Sequence, residues 1–346
     1  MKLSALNLVP LRQGQTYGEA MADLITMAQK LEELGYDRLW IAEHHNMKSI
    51  GSSATVLLME HVLAHTDRIR VGSGGIMLPN HSPYVVAEQF GTLETLFPGR
   101  VDLGLGRAPG TDLETARALR RTDDLNPRFA DDLEELQGYF KDSNAVSAYP
   151  AAGLSVPFYI LGSSTESAYL AAELGLPYAF ASHFAPAMME EAVQIYRRYF
   201  KPSEGLEKPY VIIGANAVLA DTDDQANVLA TTQLQSFLSI VTGQPNGLMP
   251  PVANDEEVWK DYVQAHKVPH FGPIAFERDD IMHRERMIVK SMSRISLVGS
   301  KETVKRQLTA LQQAVQADEI IVNSYIYDQE AQLHSFALLK EVVDQF

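Results

Sequence analysis

The sequence has 346 residues, of which 46% are apolar and 21% charged, enough for one large hydrophobic core. Its net charge of −15 repels polyanions and argues against nucleic acid as a partner. The absence of cysteine excludes disulfides, thiolate metal sites and thiol nucleophiles.

Neither a membrane span nor a signal peptide is apparent. No apolar run approaches the ~18 residues that a transmembrane helix needs. The start of the sequence, Met1 to Pro10, lacks the basic region and the cleavage site of a secretory signal. We therefore expect a cytoplasmic protein that does not contact a membrane.

Short β-prone runs alternate with helical patterns along most of the chain. The first four runs begin at Leu3, Asp37, Ile69 and Val101, roughly every 33 residues, as βα units do. Further strand-like runs cover residues 157–162, 177–181, 210–220 and 319–323. Eight strands that alternate with eight helices predict an α/β fold, a (β/α)8 TIM barrel, as a single domain over residues 1–346.

The alternation fails between residues 241 and 290. Prolines stand there at positions 245, 250, 251, 269 and 273, and few positions are periodic. Long stretches of this kind inside a compact domain are usually functional loops. We expect residues 241–290 to be an inserted, lid-like segment before the last strand.

The residues that follow the second strand are rich in ionisable groups. Glu43, His44, His45 and Asn46 stand in a row, at the end of a barrel strand where active sites lie. A solvated loop, a metal site and an organic active site are three readings of this run. A metal needs ligands from other strand ends, and His183 alone serves there, so no metal is predicted.

Glycines in the third strand have two explanations. The run from Gly72 to Gly75 weakens a strand unless the backbone must bend or must approach a ligand closely. A barrel-corner bulge fits the first case, and a flat ring system fits the second.

Two neighbouring strand ends offer donors for a phosphate. Arg107 follows Gly106 at the fourth strand, and arginine binds phosphate in a bidentate manner. Ser163 and Ser164 open a helix after the fifth strand, where free N–H groups favour anions. The alternative is a capping box between Ser163 and Glu166. Together the two ends predict a phosphate pocket on an acidic protein.

Several motifs, in this order and spacing, resemble the luciferase-like, flavin-dependent monooxygenases. They are EHH at 43–45, GSGGIMLP at 72–79, PGRVDLGLGR at 98–107, LGSS at 161–164 and VGS at 298–300. The likeness covers essentially the whole chain and is nearest to single-subunit members. Some light-emitting members place a cysteine where Gly106 stands, so the resemblance does not imply light emission.

The resemblance implies a monooxygenase that uses reduced FMN and O2 on a small organic substrate, with a long-chain aldehyde as the family's default. A separate flavin reductase would supply the reduced FMN, because no nicotinamide fingerprint is present. By the same likeness His44 assists the chemistry beside His45 and Glu43, and the Gly74–Gly75 peptide is cis. The residues assigned to the cofactor are Gly74, Gly75, Gly106, Arg107, Ser163, Ser164, Ser167 and Ser182.

Two alternative functions and a homodimer are also compatible with the resemblance. A relative could use a deazaflavin for hydride transfer without oxygen, or bind flavin without turnover. The family commonly pairs, so a homodimer is expected. Thr55, Val56, Met59 and Leu63 offer an apolar helix face for it, unless that face packs on the barrel.

Overall fold

The computed structural model describes residues 1–108, 111–120, 128–243, 246–265 and 283–346. Ten strands are β1 Lys2–Asn7, β2 Arg38–Ile41, β3 Arg70–Ser73, β4 Ile76–Met77, β5 Val101–Gly106, β6 Phe158–Gly162, β7 Tyr178–Phe180, β8 Val211–Leu219, β9 Ser296–Gly299 and β10 Glu319–Asn323. The first six helices are α1 Tyr17–Leu34, α2 Thr55–Ala64, α3 Pro83–Leu96, α4 Leu113–Arg120, α5 Phe129–Phe140 and α6 Thr165–Leu174. They are followed by α7 Met189–Tyr199, α8 Asp223–Val241, α9 Asp255–Ala265, α10 His283–Met292, α11 Lys301–Val315 and α12 Gln329–Val343.

The strands form a closed parallel barrel. β1 pairs with β2 on one side and with β10 on the other, and β10 also pairs with β8, which closes the ring. β3 and β4 both pair with β5 and together make the third strand, so the ring has eight strands. The predicted TIM barrel is confirmed. β9 pairs with the far end of β8, at Asn216–Leu219, outside this ring.

Local signals set the ends of several helices. Thr16 and Glu19 form a capping box at the start of α1, and Gly35 ends it with a φ of 77° in the left-handed region. Asp328 caps α12 through a hydrogen bond from the backbone N–H of Ala331. α4 and α5 lie in a stretch for which the sequence pattern predicted no element.

The barrel interior is layered from charged to apolar. Arg38, at the start of β2, contacts Asp102 at 2.9 Å and Glu319 at 2.9 Å, and all three are buried. This network closes the N-terminal end of the barrel. Above it lies an apolar layer that leads to the mouth, made of Leu6, Trp40, Ala42, Tyr159, Ala179, Ile212 and Ile321.

Part of the predicted insertion is regular. α9 lies within residues 241–290, and α10 begins there at His283 and ends beyond it at Met292. The stretch after residue 246 is tied to α8, because Thr232 donates to the carbonyl of Met249 at 2.9 Å and Gln235 to that of Pro250 at 2.9 Å. Residues 244–245 and 266–282 of this segment lie outside the described residues, and its lid role stays a prediction.

The helix face expected to form a dimer is used inside the subunit. Thr55, Met59 and Leu63 of α2 are at most 3% exposed, and Val56 packs against the same core. The alternative, packing on the barrel, is therefore correct for this face. Among the described helices, none is both long and apolar enough to cross a bilayer.

Candidate active site

The loop after β2 is fixed by hydrogen bonds to its own far end. The backbone N–H of His44 donates to the carbonyl of Ser52 at 3.2 Å. The hydroxyl of Thr55 donates to the carbonyl of Ala42 at 3.0 Å. These bonds hold the three ionisable residues 43–45 at the mouth, as the strand pattern predicted.

Glu43 is a buried carboxylate that binds two imidazoles. Nε2 of His45 and Nε2 of His81 each lie 2.8 Å from Oε1 of Glu43, and the N–H of Met77 donates to Oε2 at 3.2 Å. Burial opposes ionisation of Glu43. The hydrogen bonds from both histidines and from Met77 outweigh it, and the pKa of Glu43 falls to about 2. Glu43 is therefore charged at neutral pH.

The same three side chains have the spacing of metal ligands. Ligand atoms of Glu43, His45 and His81 lie within 4.8 Å of one another. Two imidazoles and a carboxylate suit zinc or iron. Both Nε2 atoms already engage the carboxylate, however, so hydrogen bonding accounts for the arrangement without an ion. His81 was not predicted from the sequence, in which His183 was the only further ligand expected, although His81 follows the third-strand motif.

His183 follows β7 at the mouth and lies close enough to His44 for the two imidazoles to interact electrostatically. Burial, and next the charge of His44, lower the pKa of His183 to about 4, so this imidazole is neutral at physiological pH. Glu43 of the EHH run thus joins His45 to His81, while His44 lies within electrostatic range of His183.

The glycines of the third and fourth strands allow close contact between backbones. The Gly74–Gly75 peptide is cis, as the resemblance implied. A β-carbon at Gly75 would lie 2.8 Å from the carbonyl oxygen of Gly104, and one at Gly106 would lie 2.7 Å from Sδ of Met77. Strand packing therefore accounts for these glycines. Their contact with a cofactor stays a prediction.

Donors for an anion meet at the ends of β5 and β6. These strands pair through Gly106 and Leu161, so the following Arg107 and Ser163 are neighbours, and both are exposed. The Glu166 carboxylate lies at this point. Hydrogen bonds from the Ser164 hydroxyl and from its own N–H, then the charge of Arg107, lower the pKa of Glu166.

Two of the assigned serines are already engaged inside the fold. Ser167 donates to the carbonyl of Ser164 at 2.7 Å and also contacts the Tyr178 hydroxyl at 3.0 Å. Ser182 donates to the carbonyl of Gly214 at 2.6 Å. The structure thus brings Arg107, Ser163 and Ser164 together, while Ser167 and Ser182 face inward.

The capping box between Ser163 and Glu166, the alternative offered by the sequence, does not form. The residue that caps α6 is Ser164, one position later than the box required, and its side chain accepts no capping hydrogen bond. Its hydroxyl instead donates to Glu166.

The chain matches the family model described as luciferase-like monooxygenase over residues 1–317. It belongs to the luciferase-like monooxygenase family. The uncharacterized protein YvbT of Bacillus subtilis (strain 168) is 46% identical over 98% of this chain and 96% of its own. An Escherichia coli (strain K12) luciferase-like monooxygenase is 43% identical over 99% and 97%. The N-acetyl-S-alkylcysteine monooxygenase of Bacillus subtilis (strain 168) is 30% identical over 99% and 98%.

Solved structures share this fold along nearly the whole chain. Apo-MsnO8 superposes with a TM-score of 0.83 at 32% identity and covers 100% of this chain and 99% of its own. The FMN complex of the oxygenating constituent of 3,6-diketocamphane monooxygenase, from a Pseudomonas putida plasmid, gives 0.70 at 16%, covering 99% and 98%. An F420-dependent secondary alcohol dehydrogenase gives 0.65 at 13%, covering 99% and 99%.

Membership of the luciferase-like family supports an oxidoreductase, and a monooxygenase in particular. Of these solved structures, the 3,6-diketocamphane monooxygenase constituent is in complex with FMN, and the secondary alcohol dehydrogenase is F420-dependent.

Proposed function

We propose that this luciferase-like protein is a monooxygenase that uses reduced FMN and O2 to oxidise a small organic substrate. The proposal rests on the separate positions of two groups of polar side chains around the barrel mouth. Anion donors stand at the ends of β5 and β6, while imidazoles stand at the ends of β2 and β7. Cofactor binding and proton chemistry thus have separate residues at one mouth.

The donor set fits the phosphate of FMN, because it already holds an anion of the protein itself. The Glu166 carboxylate accepts from the Ser164 hydroxyl and from its own backbone N–H, with Arg107 nearby. A helix N-terminus and an arginine are the usual partners of a phosphate. For FMN to bind, Glu166 must give up these donors.

The chain's own residues would hold the cofactor and manage protons. Reduced FMN, when bound, supplies the electrons that activate O2. His44 holds or moves a proton at its imidazole, as the resemblance implies. Neutral His183 beside it offers a hydrogen bond without adding charge. Glu43 orients His45 and His81 through the two 2.8 Å contacts. The segment 241–290 would exclude water as a lid.

We propose two substrate classes. The family resemblance suggests a long-chain aldehyde, and the relative named N-acetyl-S-alkylcysteine monooxygenase suggests a thioether. We further propose that the enzyme acts in the cytoplasm as a homodimer. A separate reductase would supply its reduced FMN.

The test is an anaerobic titration with reduced FMN, followed by oxygen uptake with each substrate class. Substrate-dependent oxygen uptake supports the monooxygenase. Tight binding of F420 with hydride transfer and no oxygen uptake would favour the deazaflavin alternative instead, and flavin binding without turnover would favour a binding protein.

A further inference from the structure

His183 stands across the barrel mouth from His44. With β3 and β4 counted as one strand, β2 and β7 are four strands apart in either direction around the ring, so their ends face each other. His44 follows β2, His183 follows β7, and their imidazoles interact electrostatically. Because this interaction reaches across the ring, both side chains border the space that a ligand in the mouth would occupy.

Hydrogen bonds to β8 fix the backbone on both sides of the His183 side chain. Nδ2 of Asn216 donates to the carbonyl of His183 at 2.8 Å. One residue earlier, the hydroxyl of Ser182 donates to the carbonyl of Gly214 at 2.6 Å. The turn after β7 is therefore held against β8, and the imidazole has a fixed starting point.

Gly214 makes room for the His183 ring. Ile212 belongs to the apolar layer inside the barrel, so Gly214, two residues further along β8, lies on the same interior face. A β-carbon at Gly214 would overlap Nδ1 of His183. The imidazole therefore lies against the interior face of β8, and a side chain at position 214 would displace it.

The two ring nitrogens of His183 have different surroundings. Nδ1 is buried and has no hydrogen-bond partner within the described residues. It lies against the α-carbon of Gly214, so a proton on Nδ1 would meet a C–H group instead of an acceptor. Nε2 is accessible, and no group in the described parts of the chain bonds to it. The uncharged ring is therefore accommodated with its single proton on Nε2.

His183 stays uncharged at neutral pH, because burial and then the charge of His44 lower its pKa to about 4. A neutral imidazole presents one N–H donor and one bare nitrogen. With the bare nitrogen against Gly214, the face of His183 that is open to the mouth is a donor without charge. This differs from the proton-transfer role proposed for His44.

We propose that His183 is a specificity-determining residue: its Nε2–H donates a hydrogen bond to an uncharged oxygen acceptor of the substrate, and Gly214 is the residue that positions it. This deepens the proposed function, on which it rests, by naming the group that the substrate must carry. The anion donors stand at the ends of β5 and β6, which leaves the end of β7 for the substrate.

The surroundings of this donor select the kind of acceptor. The layer below it is apolar and contains Trp40, Tyr159 and Ile212. A carboxylate over this layer would need a cation, which a neutral imidazole does not supply. An ammonium group has no lone pair to accept the hydrogen bond, and a thioether sulfur is a weak acceptor. A carbonyl oxygen on an apolar body meets both requirements.

The proton position can be measured without any ligand. Nitrogen NMR on histidine-labelled, FMN-free protein at neutral pH distinguishes the two tautomers, and the signals that disappear in His183→Asn identify His183. We expect the proton on Nε2 and none on Nδ1. A proton on Nδ1 overturns the proposal, because the accessible nitrogen would then be an acceptor.

The ligand test compares two probes of the same shape by calorimetry, with and without FMN. Acetophenone carries a carbonyl oxygen, and α-methylstyrene has a methylene group in its place. The quantity of interest is the ratio of their affinities, acetophenone over α-methylstyrene, in which the shared shape cancels. His183→Asn should lower this ratio about 2- to 10-fold, the scale of one neutral hydrogen bond.

Two further variants separate the donor from the space that the ring fills. In His183→Gln the amide nitrogen can take the place of Nε2, whereas the amide of asparagine reaches only the place of Nδ1. His183→Gln should therefore keep the ratio within about 2-fold of the wild type. Gly214→Ala keeps the imidazole but adds the β-carbon that overlaps it, so the ratio should fall as in His183→Asn.

Three results of the ligand test would overturn the role of His183. Acetophenone does not bind to the wild type; or asparagine and glutamine at position 183 lower the ratio equally, which means that the ring only fills space; or His183→Asn weakens binding of reduced FMN and leaves the ratio unchanged, which assigns the donor to the flavin. Failure of the monooxygenase proposal looks different: the ratios follow the donor, but no substrate-dependent oxygen uptake occurs.

Discussion

Nε2 of His81 lies 2.8 Å from Oε1 of Glu43, although the two residues follow different strands. The contact joins the connection after the third strand to the EHH loop after the second. Because Glu43 is almost fully buried, its charge depends on this imidazole and on that of His45.

Glu43→Gln should destabilise the protein near neutral pH. Glutamine keeps the shape but loses the charge that both imidazoles and the Met77 N–H stabilise. We expect the free energy of unfolding to fall by about 1–3 kcal/mol, measured by urea denaturation near pH 7. An unchanged free energy of unfolding would mean that the cost of burying the carboxylate cancels the stabilisation that its hydrogen bonds provide.

The difference in the free energy of unfolding between the wild type and Glu43→Gln should shrink as the pH falls. The pKa of Glu43 lies at about 2 in the folded protein, below its ordinary value of 4.5. Its contribution to stability is therefore complete above the ordinary value and is lost as the pH falls toward about 2. Wild type and Glu43→Gln should thus converge in stability as the pH is lowered from 6 to about 3. A difference in stability that stays constant from pH 6 to about 3 would contradict the lowered pKa of Glu43.

Arg107→Ala should weaken binding of reduced FMN by about 1.5 to 3 kcal/mol, the scale of a charge-assisted hydrogen bond. The measurement is an anaerobic titration. Arg128→Ala is the control, because Arg128 is also exposed but pairs with Asp131 on α5. If both variants bind like the wild type, the phosphate pocket lies elsewhere.

Glu166→Gln should have the opposite effect and tighten FMN binding. Its carboxylate occupies the donors that a phosphate would use, and its lowered pKa keeps it charged at neutral pH. Glu173→Gln is the control on the same helix, because Glu173 forms an ion pair with Lys201 away from the donors. Tightening by Glu166→Gln alone identifies competition for the anion site. Equal tightening by both changes would show that the effect comes from the overall charge of the protein and not from competition at the anion site.

The sequence predicted the barrel because its strands repeat at the βα spacing and each run is apolar. It predicted the mouth residues 43–45 and 107 because parallel strands end on one side. His81 was missed because its role depends on a contact with Glu43 that no local pattern encodes.

Two smaller errors have local causes. The alternative capping box between Ser163 and Glu166 does not form because α6 starts one residue later, with Ser164 at the N-cap position. The prolines of the insertion concealed α9, whose start was readable: Asn254 accepts from the N–H of Glu257 ahead of an acidic first turn.

The last prediction separates chemistry from cofactor binding. His44 stands after β2 and acts on His183 after β7, whereas Arg107, Ser163 and Ser164 stand after β5 and β6. The two groups share no residue, so a change in one should leave the other intact.

His44→Ala should therefore bind reduced FMN nearly as tightly as the wild type but oxidise substrate about 100-fold more slowly, the usual cost of losing a general acid or base. Oxygen consumed without substrate oxidation should appear as released hydrogen peroxide, so the ratio of product to peroxide is the readout. His61→Ala is the control, because His61 lies on the exposed face of α2. A His44→Ala enzyme with wild-type rate and wild-type coupling would move the proton role to His45, whose imidazole Glu43 orients.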